Sequence, residues 1–300
     1  MQIVSVQVLK HKQDLDKQDL DKQDLGKQDL KQTDLLDQSP PVEMALRGKV
    51  AIITGSSSGI GAGIAVAFAK EGAKLSLTGR NQKNLEDVVK DCKKAGSPDV
   101  LINVGDVTKD AFRRTLVEAT KKKFGKTDIL VNNAGISDLI PLTSTTKEQY
   151  DRMMAVNVEA PLFLTQLVAP HLIETKGNVV NTSSAGTSMI MPNTGVYIMS
   201  KAALDTFTRY LAQELASRGV RVNSINPGYV PSNIMSKVLT KEVSDQMDKA
   251  IRQATPIGRA CTPEEMGHIV AFLASDKAAF VTGECFRADG GLSMTTPALG

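Results

Sequence analysis

Short apolar runs rich in β-branched residues alternate with longer helix-like segments from about residue 45 to residue 300. The first run, VAIIT at Val50–Thr54, leads into a helix that we predict to begin near Gly59, and AKLSLTG and VLINVGDV each lead into another helix. This alternation is typical of strand–helix–strand units whose parallel sheet is buried on both faces. DILVNNAG, GNVVNTSS, VRVNSINPG and ECFRADGG supply further strands. The pattern predicts an α/β fold with a doubly wound parallel sheet.

A further helix start is readable near the end of the chain. Thr262 offers a capping hydroxyl, Pro263 needs no N–H partner, and Glu265 supplies the reciprocal carboxylate. We therefore predict that a helix begins there.

The segment before this region has a different character. Residues 12–30 repeat Lys-Gln-Asp-Leu with a period of five residues. Five residues rotate a helix by a net angle of about 140°, so the leucines cannot form one apolar stripe. We expect residues 1–44 to be a low-complexity, disordered extension and residues 45–300 to form one domain, with Met44 as a candidate alternative start. A docking or oligomerising role for the extension stays open.

Composition narrows the function classes. The net charge of +3 is small for 300 residues, and eight Phe, four Tyr and no Trp offer no basic stripe interleaved with aromatics, which argues against nucleic-acid binding. Cys92, Cys261 and Cys285 are far apart in sequence, which predicts neither a metal site nor a disulfide framework. No run approaches the roughly 18 apolar residues of a membrane span, and the first residues do not match a signal peptide. We expect a cytoplasmic protein.

The segment TGSSSGIG follows the first predicted strand and opens the first predicted helix. Gly55 permits a tight turn, Gly59 lets the backbone approach a pyrophosphate, and Gly61 allows close helix packing. The helix N-terminus directs N–H groups and a partial positive charge at an anion. An ordinary turn is the alternative. The dinucleotide-binding residues predicted in this segment are Gly55, Ser56, Ser58, Gly59, Ile60 and Gly61.

The end of the second predicted strand bears on the choice of cofactor. Dinucleotide folds place an acid there to bind a ribose 2′-hydroxyl, or a basic group to bind a 2′-phosphate. Here the strand ends in TGRN, with Gly79 at the acid position and Arg80 next to it. A guanidinium can hold the phosphate with two charge-assisted hydrogen bonds, and Ser56 could add a hydroxyl. We predict a preference for NADP(H), with NAD(H) as the alternative if Arg80 only solvates the strand end.

The next two strand ends carry further candidate contacts. Asp106 and Val107 close the third strand, where Asp106 could accept a hydrogen bond from the adenine amine and also cap the next helix; capping alone is the alternative. Asn133, Ala134 and Gly135 belong to NNAG at the end of the fourth strand. Two amides and two small residues suit a loop whose backbone lies against the cofactor, and an ordinary turn is again the alternative.

These segments together resemble the short-chain dehydrogenase/reductase family. TGSSSGIG, GDV, NNAG, MAVNVEAP, NVVNTSS, YIMSK, NPGYVPS and ADGG occur in the family's order over about residues 46–293. The resemblance implies a single Rossmann-type domain with a central parallel sheet of about seven strands and helices on both faces. It also implies a homodimer or homotetramer.

The resemblance further implies a catalytic tetrad of Asn157, Ser184, Tyr197 and Lys201. Tyr197 and Lys201 are one turn apart on a predicted helix, so the ammonium can stand near the phenol and the nicotinamide ribose. A free phenol has a pKa near 10, and we expect a close positive charge to lower it. Tyr197 would exchange the proton of the reacting oxygen, Ser184 would hold that oxygen, and Asn157, at a helix break, would support a water leading to Lys201.

The segment NPGYVPS supplies the last implied cofactor contacts. Pro227 and Gly228 suit a turn beneath the nicotinamide, and the backbone of Val230 is a candidate partner for its carboxamide. Ser232 stands where many relatives have Thr, so the hydroxyl is kept and a methyl group is lost.

The sequence indicates the substrate less clearly than the reaction. Ile140, Met189, Met191 and Met235 are candidates for an apolar lining, and each of them could equally be a core residue. The resemblance favours hydride transfer between NADP(H) and a carbonyl or secondary alcohol, in the branch that includes β-ketoacyl-acyl-carrier-protein reductases. A steroid or retinoid dehydrogenase is the alternative within the family, and a non-catalytic NADP(H)-binding sensor or scaffold is the alternative outside catalysis.

Overall fold

Seven parallel strands form one sheet in the computed structural model, which describes residues 44–231 and 240–294. The order β3-β2-β1-β4-β5-β6-β7 confirms the predicted doubly wound sheet of about seven strands. The repetitive segment before Met44 lies outside the described residues, so its disorder and the domain boundary stay predictions. The strands are β1 Val50–Thr54, β2 Lys74–Gly79, β3 Val100–Val104, β4 Ile129–Asn132, β5 Asn178–Thr182, β6 Arg221–Pro227 and β7 Cys285–Ala288.

Helices connect the strands and cover both faces of the sheet. The helix predicted to begin near Gly59 does begin there, and the last predicted helix start is confirmed by a capping box in which Thr262 and Glu265 bond reciprocally. Shorter 3₁₀ turns span Leu142–Ser144, Ala185–Ser188, Ala216–Arg218, Asp276–Ala278 and Leu292–Met294. The α-helices are α1 Gly59–Lys70, α2 Gln82–Ala95, α3 Asp110–Phe124, α4 Lys147–Met154, α5 Ala160–Thr175, α6 Gly195–Leu215, α7 Lys241–Ala254 and α8 Pro263–Ala274.

The two faces of the sheet bury two separate apolar clusters. Neighbouring residues of a strand point to opposite faces, so Ile53 packs with Phe68 of α1 and Val270 of α8, while Ile52 packs with Leu116 of α3 and Leu164 of α5. All five residues of β1 are buried. The continuous apolar runs of the sequence are therefore explained by burial on both sides.

The direction of the chain across the sheet reverses at β1, which pairs with β2 on one side and β4 on the other. Successive strands to one side of this point are β2 and β3, and to the other side β4 to β7. In open α/β sheets such a reversal opens a crevice at the carboxyl ends of the strands. The predicted site residues Arg80, Asp106, Asn133, Ser184 and Gly228 each lie shortly after one of these strand ends.

One continuous helical run, Lys147–Thr175, is long and apolar enough to cross a membrane by length and composition. It joins α4, a π-helical turn at Ala155–Glu159 and α5. Leu164, Val168 and Leu172 are buried in the cluster beneath the sheet, and core helices of folded domains pass the same test. The run is therefore a packed helix of this fold.

Candidate active site

The turn between β1 and α1 is shaped by three glycines. Gly55 and Gly59 have positive φ angles of 64° and 55°, which side chains rarely adopt. A Cβ at Gly61 would lie 2.4 Å from the Gly55 carbonyl oxygen and from Asn133 Nδ2. The absence of a side chain at Gly61 therefore lets the start of α1 pack closely against the turn and the loop after β4, as predicted. Gly63 allows close packing between α1 and α8, since a Cβ there would lie 2.2 Å from the Pro263 carbonyl oxygen.

The N-terminal end of α1 fits an anion. Ser58 is the N-cap residue, is exposed and makes no side-chain capping hydrogen bond, and the first turn contains no acidic residue. Ile60 is partly buried against the core beneath this turn. A backbone turn without bulky side chains therefore meets the positive end of a helix, which suits the pyrophosphate of a dinucleotide.

Ser56 does not have the surroundings expected of a phosphate ligand. It is fully buried, and both its N–H and its hydroxyl donate to the Thr78 carbonyl oxygen, at 3.0 and 3.2 Å. The expectation that its hydroxyl adds to a 2′-phosphate site is therefore wrong. Ser57 lies beside the strand end instead, with its hydroxyl 3.1 Å from where a Cβ at Gly79 would be.

Arg80 follows β2, and Asp106 lies two residues after the end of β3, within range of the Arg80 charge. Burial raises the pKa of Asp106, but hydrogen bonds from Thr108 and the charge of Arg80 outweigh this effect, so the pKa is lowered. The Asp106 carboxylate accepts from the Thr108 N–H at 3.0 Å and from its hydroxyl at 2.9 Å. Because α3 begins at Asp110, the expectation that Asp106 caps this helix is wrong. The carbonyl oxygen of the adjacent Val107 accepts from Arg113 at 2.8 Å.

The loop after β4 is bonded to the glycine turn. Asn133 Nδ2 donates to the carbonyl oxygens of Thr54 and Gly55 at 3.0 and 3.2 Å. The Thr54 hydroxyl accepts from the N–H groups of Asn133 and Ala134 at 2.9 and 3.0 Å. Sequence reasoning missed Thr54, although its position immediately before Gly55 was visible. These bonds fix the two loops that face the crevice.

Gly135 places this loop against the catalytic candidates. A Cβ at Gly135 would lie 3.4 Å both from Asn157 Oδ1 and from Lys201 Nζ. The side chains of Asn157 and Lys201 therefore both lie close to the glycine. The loop after β4 therefore lies against two members of the predicted tetrad.

Asn157 lies in the π-helical turn Ala155–Glu159, between α4 and α5. This turn is the helix break expected from the sequence, and such turns are frequent at functional sites. The Asn157 side chain is fully buried, accepts from the Ile136 N–H at 2.9 Å, and donates to the Ile136 carbonyl and the Ser200 hydroxyl at 2.9 and 3.0 Å. Its amide therefore holds the loop after β4 against α6.

Tyr197 and Ser184 meet where α6 begins beside the end of β5. Burial raises the pKa of Tyr197, and a hydrogen bond with Ser184 opposes the rise without cancelling it. The net direction is opposite to the one expected from the sequence, because burial dominates and the opposing effect comes from Ser184. The Ser184 hydroxyl also accepts from the Gly186 N–H at 3.1 Å, which orients it.

Lys201 lies one turn further along α6 and is buried. Its ammonium donates to the Thr182 carbonyl oxygen at 2.7 Å and lies 5.9 Å from the centroid of the Tyr197 ring. Burial lowers the pKa of Lys201 to about 8, and the charge of Asp205 opposes this change. The lysine is thus close to the phenol, as the spacing in YIMSK predicts, but it is held by the backbone of β5.

The turn after β6 completes this end of the sheet. Pro227 ends β6, and the Gly228 N–H donates to the Ala288 carbonyl oxygen at 3.0 Å. A Cβ at Gly228 would lie 2.6 Å from Asp289 Cα, so only glycine fits this approach. Val230 is buried, and Ser232 lies outside the described residues.

The pocket beside Tyr197 is lined by polar as well as apolar side chains. Ile140 lines it as predicted, while Met189 and Met191 are not among its described lining residues; Met191 instead packs near Gly186. Met235 lies outside the described residues. Sequence reasoning missed the polar members because only the folded chain brings Asn193 to the segment that holds Asp138, Thr145 and Gln149. The lining is Asp138, Ile140, Thr145, Gln149, Met153, Asn193, Val196 and Tyr197.

Known proteins share both the sequence and this architecture. The family model described as enoyl-(acyl carrier protein) reductase matches residues 55–293. An uncharacterized oxidoreductase of Methylorubrum extorquens is 40% identical over 248 residues, which cover 82% of this chain and 98% of that protein.

Two solved structures extend the likeness to three dimensions. A short-chain dehydrogenase/reductase of unknown function from Caenorhabditis elegans, solved with cofactor, is 35% identical with a TM-score of 0.79, covering 84% of this chain and 98% of that one. The 3-ketoacyl-(acyl-carrier-protein) reductase of Brucella melitensis, complexed with NADH, is 34% identical with a TM-score of 0.76. The match covers 82% of this chain and 99% of that one. The chain therefore belongs to the short-chain dehydrogenase/reductase family, whose members are oxidoreductases that bind nicotinamide cofactors.

Proposed function

We propose that this oxidoreductase transfers hydride between NADP(H) and a carbonyl or secondary alcohol, with Tyr197 as the general acid and base. The observation that carries the proposal is the convergence of the Tyr197 phenol, the Ser184 hydroxyl and the Lys201 ammonium at the end of β5. The glycine turn after β1 fits the cofactor's pyrophosphate. When bound, the cofactor would supply or accept the hydride.

Tyr197 suits the acid role in carbonyl reduction. Because burial raises the pKa of its phenol, Tyr197 is protonated at neutral pH and has a proton to give to an oxygen that becomes an alkoxide. Ser184 donates a hydrogen bond to the same oxygen, and its own orientation is fixed by the Gly186 N–H. In alcohol oxidation the same two groups act in reverse.

Lys201 and Asn157 have supporting roles in this proposal. Lys201 would bind ribose hydroxyls while its ammonium stays anchored on the Thr182 carbonyl. Asn157 holds the loop after β4, which brings Gly135 close to Lys201. We propose that the cofactor is further held by Gly55, Ser58, Gly59, Arg80, Asp106, Val107, Ala134, Gly135, Pro227, Gly228 and Val230.

The preference for NADP(H) rests on the end of β2. Gly79 leaves no carboxylate there, Arg80 is exposed, and its charge acts on Asp106 across the neighbouring strand. A guanidinium in this position attracts a 2′-phosphate, and Ser57 replaces Ser56 as the nearby hydroxyl. NAD(H) remains the alternative cofactor, and the Brucella structure contains NADH.

The substrate class that the relatives favour is a 3-oxoacyl thioester. The family model is described by acyl-carrier-protein chemistry, and the Brucella relative is a 3-ketoacyl-(acyl-carrier-protein) reductase. A steroid or retinoid alcohol is the alternative within the family. A non-catalytic sensor or scaffold is a less favoured hypothesis, because such a protein would not need all four tetrad side chains, and all four are present. We further propose a cytoplasmic homodimer or homotetramer.

The test is NADPH oxidation measured across 3-oxoacyl thioesters, ketones and aldehydes. Tyr197→Phe should lower kcat by about 10²–10⁴-fold and leave the dissociation constant of NADPH unchanged, because only the proton donor is lost. Tyr210→Phe is the matched control, since Tyr210 lies on the same helix and is 74% exposed. Turnover by Tyr197→Phe at the wild-type rate would reject the proposed acid.

A further inference from the structure

Asp205 is a buried carboxylate for which the proposed reaction has no role. It lies four residues after Lys201 on α6, so the two side chains are on the same helix face. Lys201 is 4% exposed and Asp205 is 6% exposed. An acid at this depth is rarely kept without a partner or a task.

The Asp205 carboxylate is held by side chains of β6. Asn226 Nδ2 lies 2.9 and 3.2 Å from its two oxygens, and the Ser224 hydroxyl lies 3.2 Å from one of them. The same Asn226 amide reaches the Ser184 carbonyl oxygen at 3.3 Å. Asp205 is therefore connected through the Asn226 amide to the backbone of Ser184, and it shares a buried face of α6 with Lys201.

Within residues 44–231 and 240–294, the titratable groups near Lys201 on α6 are Tyr197 and Asp205. Its neighbours from other elements in that part of the chain are neutral: the Thr182 carbonyl and, beside Gly135, the Asn157 amide. Asp205 also lines a cavity of about 630 Å³ whose other charged or titratable lining groups are Arg209, Glu284, Cys285 and Arg287. Lys201 is not among the described lining residues of this cavity.

We propose that Asp205 is a positioning residue of the active site, a buried anion that keeps the Lys201 side chain charged in the protein interior. The expected effect on the pH dependence of activity rests on the proposed function. The expected effect on the charge of Lys201 does not. Burial disfavours the charged lysine, and the negative charge of Asp205 opposes that effect.

Removal of the Asp205 carboxylate should lower the pKa of Lys201. Without the carboxylate, burial acts unopposed, so the pKa of Lys201 falls further below its ordinary value of 10.5. A larger fraction of Lys201 is then neutral at pH 7 to 8. If the charged lysine binds ribose and supports proton exchange at Tyr197, the alkaline limb of activity moves to lower pH.

The experiment titrates Lys201 by NMR in protein labelled with ¹³C at the lysine ε-carbon, with Lys201→Arg to assign its signal. Asp205→Asn should move the titration midpoint down by about one pH unit, the size expected for a nearby buried charge. Ser224→Ala is the matched control, because it removes a neighbouring hydroxyl and keeps the carboxylate; its midpoint should match that of the wild type. Asp205→Ser serves as a second charge-removing variant if Asp205→Asn does not fold.

An unchanged midpoint in the folded Asp205 variant would overturn the proposal, as would an equal shift in Ser224→Ala. The pH profile of kcat/KM is measured in parallel and should show its alkaline limb displaced by the same amount in Asp205→Asn. A shifted NMR midpoint with no measurable NADPH oxidation by the wild type would reject the proposed function while supporting the role of Asp205.

Discussion

Strands β1 to β3 and strands β4 to β6 bury different kinds of side chain on the two sides of the reversal point. The first three strands are largely apolar, and their buried polar groups are the hydroxyls of Thr54, Ser76 and Thr78. The second three strands carry five buried asparagines, which are Asn132, Asn178, Asn181, Asn223 and Asn226.

The difference matches the groups that each side of the sheet is proposed to bind or orient. On the first side the proposed pyrophosphate site is made of backbone, so glycines are needed because they leave room for the pyrophosphate. On the second side the proposed chemistry needs oriented side chains, and amides fix orientation because each one both donates and accepts. Thr165 of α5, Asn132, Asn181 and Thr208 of α6 form one such chain across the sheet, with links of 3.0, 2.9 and 2.9 Å.

The largest effect should come from filling the glycine turn. In Gly61→Ala the new Cβ would lie 2.4 Å from backbone and side-chain atoms, and we expect a loss of roughly 3 kcal/mol in the free energy of unfolding. Urea denaturation measures this loss, and titration with NADPH should show weaker binding.

Gly135→Ala is the steric control for that substitution, because its Cβ would have its nearest neighbours at 3.4 Å. We expect its free energy of unfolding to change by less than about 1 kcal/mol. Equal losses for the two alanines would contradict the view that space at Gly61 is what the turn requires.

A smaller loss should follow from interrupting the amide chain on the other side. Asn181→Ala leaves the Asn132 amide and the Thr208 hydroxyl each without one buried partner, so we expect a loss of roughly 2 kcal/mol in stability and a reduced kcat. Denaturation and steady-state kinetics measure the two quantities.

Ser76→Ala is the matching substitution on the first side of the sheet, because it also removes a buried polar side chain from a strand. This serine hydroxyl lies 2.7 Å from Thr120 Oγ1 and accepts from Asn103 at 3.0 Å, away from the tetrad. We expect a loss of about 1 kcal/mol in stability with kcat unchanged. A fall in kcat equal to that of Asn181→Ala would erase the distinction between the two sides.

The smallest effect concerns the exposed charge at the end of β2. Arg80→Gln should raise the KM for NADPH about tenfold and change the KM for NADH little, because charge-assisted contacts to one phosphate are lost. Steady-state kinetics with both cofactors at low ionic strength measures this change. Wild-type KM values that favour NADH would reverse the cofactor assignment, and Lys83→Gln, on α2 nearby, controls for general charge loss.

Much of the fold and many of the site residues could be predicted from the sequence, because the patterns that indicate them involve residues close together in the chain. The period of apolar residues predicts β1 and the strands that follow, and the positive φ angles at Gly55 and Gly59 belong to a turn that glycine spacing indicates. The spacing of Tyr197 and Lys201 is likewise a property of one helix, and the structure brings the two side chains together as expected.

The sequence by itself determined where strands, turns and the one-turn spacing on α6 would be, because these depend on residues close together in the chain. Only the tertiary structure decided that Ser56 is buried, that Gly61 meets Asn133, and that the pKa of Tyr197 is raised. Burial, hydrogen-bond pairing and charge proximity depend on which distant segments come together. The pairing of Asp205 with β6 is of this second kind, since its partners Ser224 and Asn226 follow it by about twenty residues and belong to another element.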